Sequence, residues 1–186
     1  KPSEIILSLA NGGMVFYGGL IGGILAAWWC AKIIKTKLTD YLVLLVPALA
    51  LAHSIARIGC FSAGCCYGAE TSSWIGHTYT NSLAAPNGVP LLPIQLIEAF
   101  GVFLIFIFLV WYTSSPKREH YTLAMYIVLY TPMRFILEFF RGDSLRGFIL
   151  GLSTSQWISA ALFIITVLWL IRETPVFHRL SKKHKD

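Results

Sequence analysis

Charged residues are scarce in this sequence: they make up 13% of it, whereas hydrophobic residues make up 56% and the mean hydropathy is +0.66. Soluble domains carry about 25% charged residues, so the balance excludes an ordinary soluble fold and predicts a polytopic membrane protein. A glycine-rich phosphate loop, a dinucleotide-binding fingerprint and an internal repeat are also lacking, which gives no support to a nucleotide-binding enzyme or a repeat protein. The sequence starts at Lys1 without a signal-peptide pattern, and we therefore expect an upstream segment.

Five stretches are long and apolar enough to cross a bilayer, which takes about 20 residues. They lie near residues 14–34, 41–61, 92–112, 121–140 and 154–171. Because their apolar character is continuous rather than alternating, helices are predicted rather than the strands of a barrel. The predicted fold is all-α, a polytopic transmembrane helix bundle that forms one domain over residues 1–186.

Lysine and arginine are absent from residues 62–91, the longest connector between the predicted spans. Most of them flank the opposite ends of the spans instead, at Lys32, Lys35, Lys37, Lys117 and Arg118 and along the tail 172–186, and only Lys1, Arg141 and Arg146 lie in the segments on the side of the connector. The positive-inside rule then places the connector outside and the basic tail in the cytoplasm. The net charge of +6 thus reflects membrane topology, and no nucleic-acid partner is expected.

Ionisable residues interrupt the predicted spans near their outer ends. Arg57, Glu98, Arg134 and Glu138 all lie within about 10 Å of the outer boundary, at a rise of about 1.5 Å per residue. Because intramembrane charge costs about 2.5–3.5 kcal/mol per residue on insertion scales, it usually marks a functional site. With Arg141, three arginines face two glutamates, and this surplus of guanidinium favours an anionic lipid phosphate. The alternative is structural: two ion pairs that lock helices together.

The fourth predicted span carries its polar residues at a helical spacing. Tyr130, Arg134, Glu138 and Arg141 are separated by four, four and three residues, which predicts that they share one helix face. On the second span, His53 precedes Arg57 by four residues. It is either a proton carrier or a hydrogen-bonded interior histidine.

Three cysteines, Cys60, Cys65 and Cys66, lie at the outer end of the second span and just after it. The C-x4-C-C spacing fits the usual zinc motifs poorly, so no metal is expected. Packing or a disulfide on the oxidising outer face is the favoured interpretation. A reactive thiol, activated by Arg57, is the alternative.

Five segments together resemble prolipoprotein diacylglyceryl transferases over essentially the whole chain: "NGGMVFYGGLIGG", "ARIGCFSAGCCYG", "LPIQLIEA", "RFILEFFR" and "LGLSTSQWISAALFI". The resemblance implies a seven-helix bundle of the bacterial inner membrane, of which five spans are visible here. The implied site faces the outer leaflet. The implied reaction moves diacylglyceryl from phosphatidylglycerol to a lipoprotein cysteine thiol and releases glycerol phosphate. The implied partners are a phosphatidylglycerol-like phospholipid and a prolipoprotein or other thiol acceptor, and no cofactor is implied.

Carried over by position, the resemblance implies two groups of site residues. The catalytic group is Arg57, Arg134, Glu138 and Tyr17, and the lipid-binding group is Arg141, Tyr130, Gly18, Gly19, Gln95, Glu98 and Gly59. Tyr17 stands where the family has a histidine, and a phenol, whose pKa is about 10, is a poor base. Cys60 and Cys65 replace an asparagine and an acid of the family signature. Phospholipid binding therefore carries over better than the full reaction.

Two other functions remain open at this point. One is a membrane thiol enzyme, or a metal or redox protein, that uses Cys60, Cys65 and Cys66. The other is a non-catalytic phospholipid-binding membrane protein that has kept the arginines and lost the chemistry.

Overall fold

The structure, a computed structural model, describes residues 14–36, 41–115, 120–142 and 148–173. The helices in these residues are α1 (Met14–Ile33), α2 (Leu42–Ala63), α3 (Ile94–Thr113), α4 (Thr122–Leu137) and α5 (Thr154–Glu173). A 3-10 turn, Glu138–Phe140, follows α4 directly. Two antiparallel pairs of two-residue strands complete the fold: β1 (His77–Thr78) with β2 (Pro90–Leu91), and β3 (Phe148–Ile149) with β4 (Leu152–Ser153). The predicted all-α class is confirmed, with these short strands as an addition.

Four of the described helices are long and apolar enough to cross a membrane: α2, α3, α4 with its 3-10 turn, and α5. Their outer surfaces expose large apolar side chains such as Leu44, Phe100 and Ile165, whereas Glu98 and Arg134 are buried. An exposed apolar surface of this kind would be unfavourable in water and suits lipid chains. The polar residues therefore lie inside the bundle.

The helix α1 belongs to one compact unit and the remaining helices to a second. It coincides with the first stretch that the sequence predicts as a span. The placement of residues 62–91 outside the cell stays a prediction. Residues 174–186 of the basic tail lie outside the described residues.

The end of α2 is a Schellman motif built on Gly64. Its φ is +70°, a left-handed conformation that favours glycine. The Gly64 N–H donates to the Phe61 carbonyl at 3.0 Å, and the Cys65 N–H donates to the Cys60 carbonyl at 3.1 Å. This pair of hydrogen bonds ends the helix and folds the chain back over its last turn. Cys65 is thereby brought next to Cys60.

The start of α5 is a capping box. The Gln156 N–H donates to Ser153 Oγ at 3.2 Å, and the Ser153 N–H donates to Gln156 Oε1 at 2.9 Å, which satisfies two otherwise unpaired donors. Gln156 Nε2 also donates to the Phe135 carbonyl of α4 at 3.4 Å. The capping residues thus fix the start of α5 against α4.

The segment after α2 is attached to the start of α3 and to the end of α4. The Gly68 N–H donates to the Leu92 carbonyl at 3.2 Å, and the Ala69 N–H donates to the Phe140 carbonyl at 2.8 Å. The Gly142 N–H donates to the Tyr67 carbonyl at 3.1 Å. These backbone bonds hold three helix ends together beside the polar interior.

Substitution of Gly68 by alanine is expected to loosen this junction. A Cβ there would clash with the Leu92 carbonyl oxygen and lie 2.9 Å from Leu92 Cβ and 3.1 Å from the Phe140 carbonyl oxygen. Overpacking of this kind costs about 1–3 kcal/mol of unfolding free energy, measurable by denaturation of the full-length protein in detergent. Gly59→Ala is the matched control, since its Cβ position has no described heavy atom within 4 Å apart from its chain neighbours and the adjacent backbone of its own helix. Equal stability of the two variants would contradict the role of Gly68.

Candidate functional site

Glu98 is the centre of a polar cluster between three helices. Its side chain, on α3, is 3% exposed. Glu98 Oε1 accepts a hydrogen bond from the Tyr130 hydroxyl of α4 at 3.0 Å and lies 3.2 Å from Arg57 Nη2 of α2. His53 Nε2 lies 3.9 Å from the same oxygen. One carboxylate oxygen therefore connects α2, α3 and α4.

Two tyrosines on α4 hold the imidazole of His53. His53 Nδ1 lies 3.0 Å from the Tyr126 hydroxyl, and its ring meets Tyr130 edge-on with ring centroids 5.0 Å apart. Tyr126 and Tyr130 lie four positions apart on α4, and His53 and Arg57 lie four positions apart on α2. This spacing places the two residues of each pair on the same helix face. Tyr126 was missed by the sequence analysis, although its position one turn before Tyr130 could have indicated it.

Arg134 is the centre of a second polar cluster, between α4 and α5. Its side chain pairs with Glu138, and Arg134 Nη2 donates to Ser155 Oγ at 2.9 Å. Arg141 Nε lies 4.0 Å from Glu138 Oε2. Ser155 was also missed by the sequence analysis, although the polar run at the start of the last apolar span could have indicated it.

The prediction that Arg141 shares a helix face with Tyr130 is wrong. The helix α4 ends at Leu137, and Arg141 follows the 3-10 turn with extended backbone angles, φ −79° and ψ 139°. It forms an isolated antiparallel bridge with Gly68, which draws the chain away from the helix axis. The guanidinium of Arg141 nevertheless remains beside Glu138.

Two buried arginine nitrogens have no hydrogen-bond partner in the described part of the chain: Arg57 Nε and Arg134 Nη1. Both guanidinium groups lie within electrostatic range of Tyr130. A buried donor without an acceptor is costly, and native structures rarely leave one. Each of the two guanidinium groups therefore keeps a buried donor that suits an anionic acceptor.

The other predicted lipid-binding residues differ in their placement. Gln95 is buried, and its Nε2 donates to the Cys65 carbonyl at 2.8 Å, so it contacts the segment after α2. Gly59 is exposed on α2. Tyr17, Gly18 and Gly19 lie in α1, and their side-chain environment is outside the described part of the structure. Their contribution to the site stays a prediction.

Three cysteines lie close together at the end of α2: Cys60 is in its last turn, and Cys65 and Cys66 follow it. The Sγ atoms of Cys60, Cys65 and Cys66 all lie within 4.8 Å of one another, and none of the three forms a disulfide within the described part of the chain. Burial, followed by the neighbouring thiols Cys60 and Cys66, raises the pKa of Cys65 to about 12. Cys65 is therefore protonated at neutral pH, which argues against its use as a free thiolate nucleophile.

The family model for prolipoprotein diacylglyceryl transferase matches residues 1–172 of the chain. The chain belongs to the prolipoprotein diacylglyceryl transferase family. This confirms the resemblance found in the motifs. Together with the membrane-length helices, membership of this transferase family makes the chain a multi-pass membrane protein.

Several curated proteins of the same transferase family are similar to the chain. Phosphatidylglycerol–prolipoprotein diacylglyceryl transferase 2 of Clostridium perfringens is 44% identical over 163 residues, which cover 88% of the chain and 63% of that protein. The Clostridium tetani phosphatidylglycerol–prolipoprotein diacylglyceryl transferase is 41% identical over 164 residues, 88% of the chain and 65% of that protein. The chain thus spans just under two thirds of the length of these two transferases. No solved structure matches it.

Proposed function

We propose that this chain catalyses phospholipid-dependent transfer of diacylglyceryl from phosphatidylglycerol to a cysteine thiol of a prolipoprotein. The related transferases from Clostridium are named for this reaction. The observation that carries the proposal is that two buried arginine nitrogens, Arg57 Nε and Arg134 Nη1, have no hydrogen-bond partner among the described residues. The proposed location is the bacterial inner membrane, with the site open to the outer leaflet.

The phosphate of phosphatidylglycerol fits these arginines by charge and by geometry. A guanidinium presents several N–H donors in a rigid plane, and a phosphate diester accepts them with one negative charge. Glu98 holds Arg57, while Glu138 and Ser155 hold Arg134. Each arginine is thereby oriented by its protein partners and keeps a donor for the lipid.

The same arginines favour the departure of glycerol phosphate. The acceptor sulfur attacks the diacylglyceryl carbon that carries the phosphate ester, so that a C–S bond forms and a C–O bond breaks. The electron pair of the C–O bond leaves with the phosphate, which takes up the proton of the thiol. Because negative charge grows on the phosphate oxygens during this step, fixed guanidinium groups bind the transition state more strongly than the substrate.

The remaining site residues support this arrangement. Glu138 is a positioning residue for Arg134, and Arg141 adds positive charge beside that pair. Tyr130 orients Glu98. Tyr17, at the position where the family has a histidine, is proposed to contact the acceptor thiol or the leaving oxygen.

A transfer assay with the full-length protein tests the proposal. The protein is incubated with phosphatidylglycerol and a lipobox peptide, and mass spectrometry measures the peptide. We expect a mass increase of one diacylglyceryl group together with release of glycerol phosphate. A peptide with serine in place of the lipobox cysteine is the control and should stay unmodified. Bound phosphatidylglycerol without any transfer would overturn the proposal in favour of a non-catalytic lipid-binding protein.

A further inference from the structure

The thiol cluster, defined here as Cys60, Cys65 and Cys66, is formed by the local fold rather than by a linear metal-binding motif. The Schellman turn at Gly64 brings Cys65 back onto the last turn of α2, where Cys60 lies. Cys66 then adopts a left-handed backbone conformation with φ +58°, which is uncommon for a residue other than glycine. Gln95 Nε2 fixes the turn from α3 by donating to the Cys65 carbonyl. The Schellman turn, the left-handed backbone of Cys66 and the hydrogen bond from Gln95 thus bring the three sulfur atoms close together.

We propose that the thiol cluster binds one thiophilic d10 metal ion, Zn²⁺ or Cu⁺, through its three sulfur atoms. This goes beyond the transferase reaction, which needs no metal in the mechanism given above. It also replaces the expectation from sequence spacing that no metal is bound. That expectation rested on the C-x4-C-C spacing, which lacks the usual zinc-motif pattern, whereas a helix ending in a Schellman motif places its C3 and C″ residues side by side.

The positions of the sulfurs are close to those of a metal site. At a Zn–S distance of about 2.3 Å, ligand sulfurs lie about 3.8 Å apart. The three Sγ atoms already lie within 4.8 Å of one another, so closure on an ion needs a sulfur movement of about 1 Å, within reach of small side-chain rotations. Soft thiolate donors select Cu⁺ and Zn²⁺ over hard cations.

The charge balance also fits. Binding releases three thiol protons, so that three thiolates and Zn²⁺ carry one net negative charge, and three thiolates and Cu⁺ carry two. Arg57 lies within electrostatic range of Cys60 and Cys66, so its positive charge offsets part of the negative charge of a metal–thiolate centre without giving up the donor proposed for the lipid. A nearby cation stabilises an anionic metal–thiolate centre.

A disulfide explains the cluster less well. It pairs two sulfurs at about 2.05 Å and leaves the third unpaired. A three-coordinate ion uses all three sulfurs, and a fourth position on Zn²⁺ stays open to water or another ligand.

Metal titration of the reduced, full-length protein in detergent tests the proposal. Zn²⁺ and Cu⁺ are each added from a buffered stock in competition with a chelator. Elemental mass spectrometry then measures the amount of metal bound per chain. We expect one ion per chain for at least one of the two metals. We also expect the affinity to fall at least tenfold in each of Cys60→Ser, Cys65→Ser and Cys66→Ser. Cys30→Ser is the matched control, since Cys30 is exposed on α1, and it should bind as the unchanged protein does.

A second measurement needs no variant and guards against misfolding of the serine proteins. Bound metal should protect the three cluster cysteines of the unchanged protein from alkylation at neutral pH while Cys30 still reacts. Failure of both metals to bind stoichiometrically, or binding that survives replacement of all three cysteines, would overturn the proposal. Neither measurement involves phospholipid or peptide, so the result is independent of whether the chain transfers diacylglyceryl.

Discussion

Replacement of Arg134 by alanine in the full-length protein is expected to lower kcat/KM for diacylglyceryl transfer by about 10³-fold, the upper range for loss of one preorganised donor to a developing anion. Arg134 is 6% exposed and is held by Glu138 and Ser155. The alanine variant lacks the donor to the lipid phosphate, and Glu138 loses its ion pair with Arg134. Initial rates of peptide lipidation, measured at several phosphatidylglycerol concentrations, give the effect.

Two further variants make the Arg134 result specific. Arg134→Lys keeps the positive charge and loses the rigid guanidinium that holds its donor in place, so we expect it to remain folded and still lose about 10²-fold in rate. Arg172→Ala is the same chemical change as Arg134→Ala at the exposed end of α5 and should leave the rate within twofold. A folded Arg134→Lys protein with the unchanged rate would show that the fixed guanidinium donor of Arg134 is unnecessary for transfer.

Replacement of Glu98 by glutamine is expected to lower the unfolding free energy by about 3 kcal/mol, because it leaves the largely buried guanidinium of Arg57, whose side chain is 16% exposed, without its counter-charge. Glutamine keeps the size of the side chain, and its oxygen still accepts the hydrogen bond from Tyr130. The loss therefore reports the charge of the carboxylate rather than its volume. Denaturation of the full-length protein in detergent measures it, and the transfer rate should fall in parallel as Arg57 loses its orientation.

A double-mutant cycle separates this ion pair from a general effect of substitution. Once Glu98 is glutamine, replacing Arg57 by glutamine removes the uncompensated charge, so the double variant should be more stable than the sum of the two single losses predicts. Glu70→Gln is the matched control: Glu70 is exposed in the connector, and its change should stay within about 0.5 kcal/mol. Strict additivity in the cycle, or a Glu98→Gln variant as stable as Glu70→Gln, would refute the ion-pair argument.

Residue composition and order are sufficient to predict the helices and to indicate which residues are chemically unusual. The described helices coincide with the five apolar stretches because a helix in lipid must satisfy its hydrogen bonds within one continuous segment. The same reasoning makes Arg57, Glu98 and Arg134 stand out, since each is an ionisable group in an apolar stretch. Spacing along α4 also predicts correctly that Arg134 and Glu138 pair one turn apart.

The partners between helices depend on the tertiary structure. The sharing of Glu98 Oε1 by Arg57 and Tyr130, and the bond from Arg134 to Ser155, join residues more than 20 positions apart. Periodicity fixes the face of each helix but not which faces meet, because rotation and crossing of helices are set by packing of the whole bundle.

Local sequence rules also fail where a helix ends. Spacing places Arg141 on α4 and gives no metal-binding motif for the three cysteines, whereas the structure takes Arg141 off the helix and brings all three sulfur atoms together. In both places, backbone hydrogen bonds from the chain after the helix end decide the path. The apolar stretches and their embedded charges can therefore be predicted from the residues alone. The arrangement of the arginines and thiols into sites comes from helix packing and helix termination, because both depend on contacts that no single segment contains.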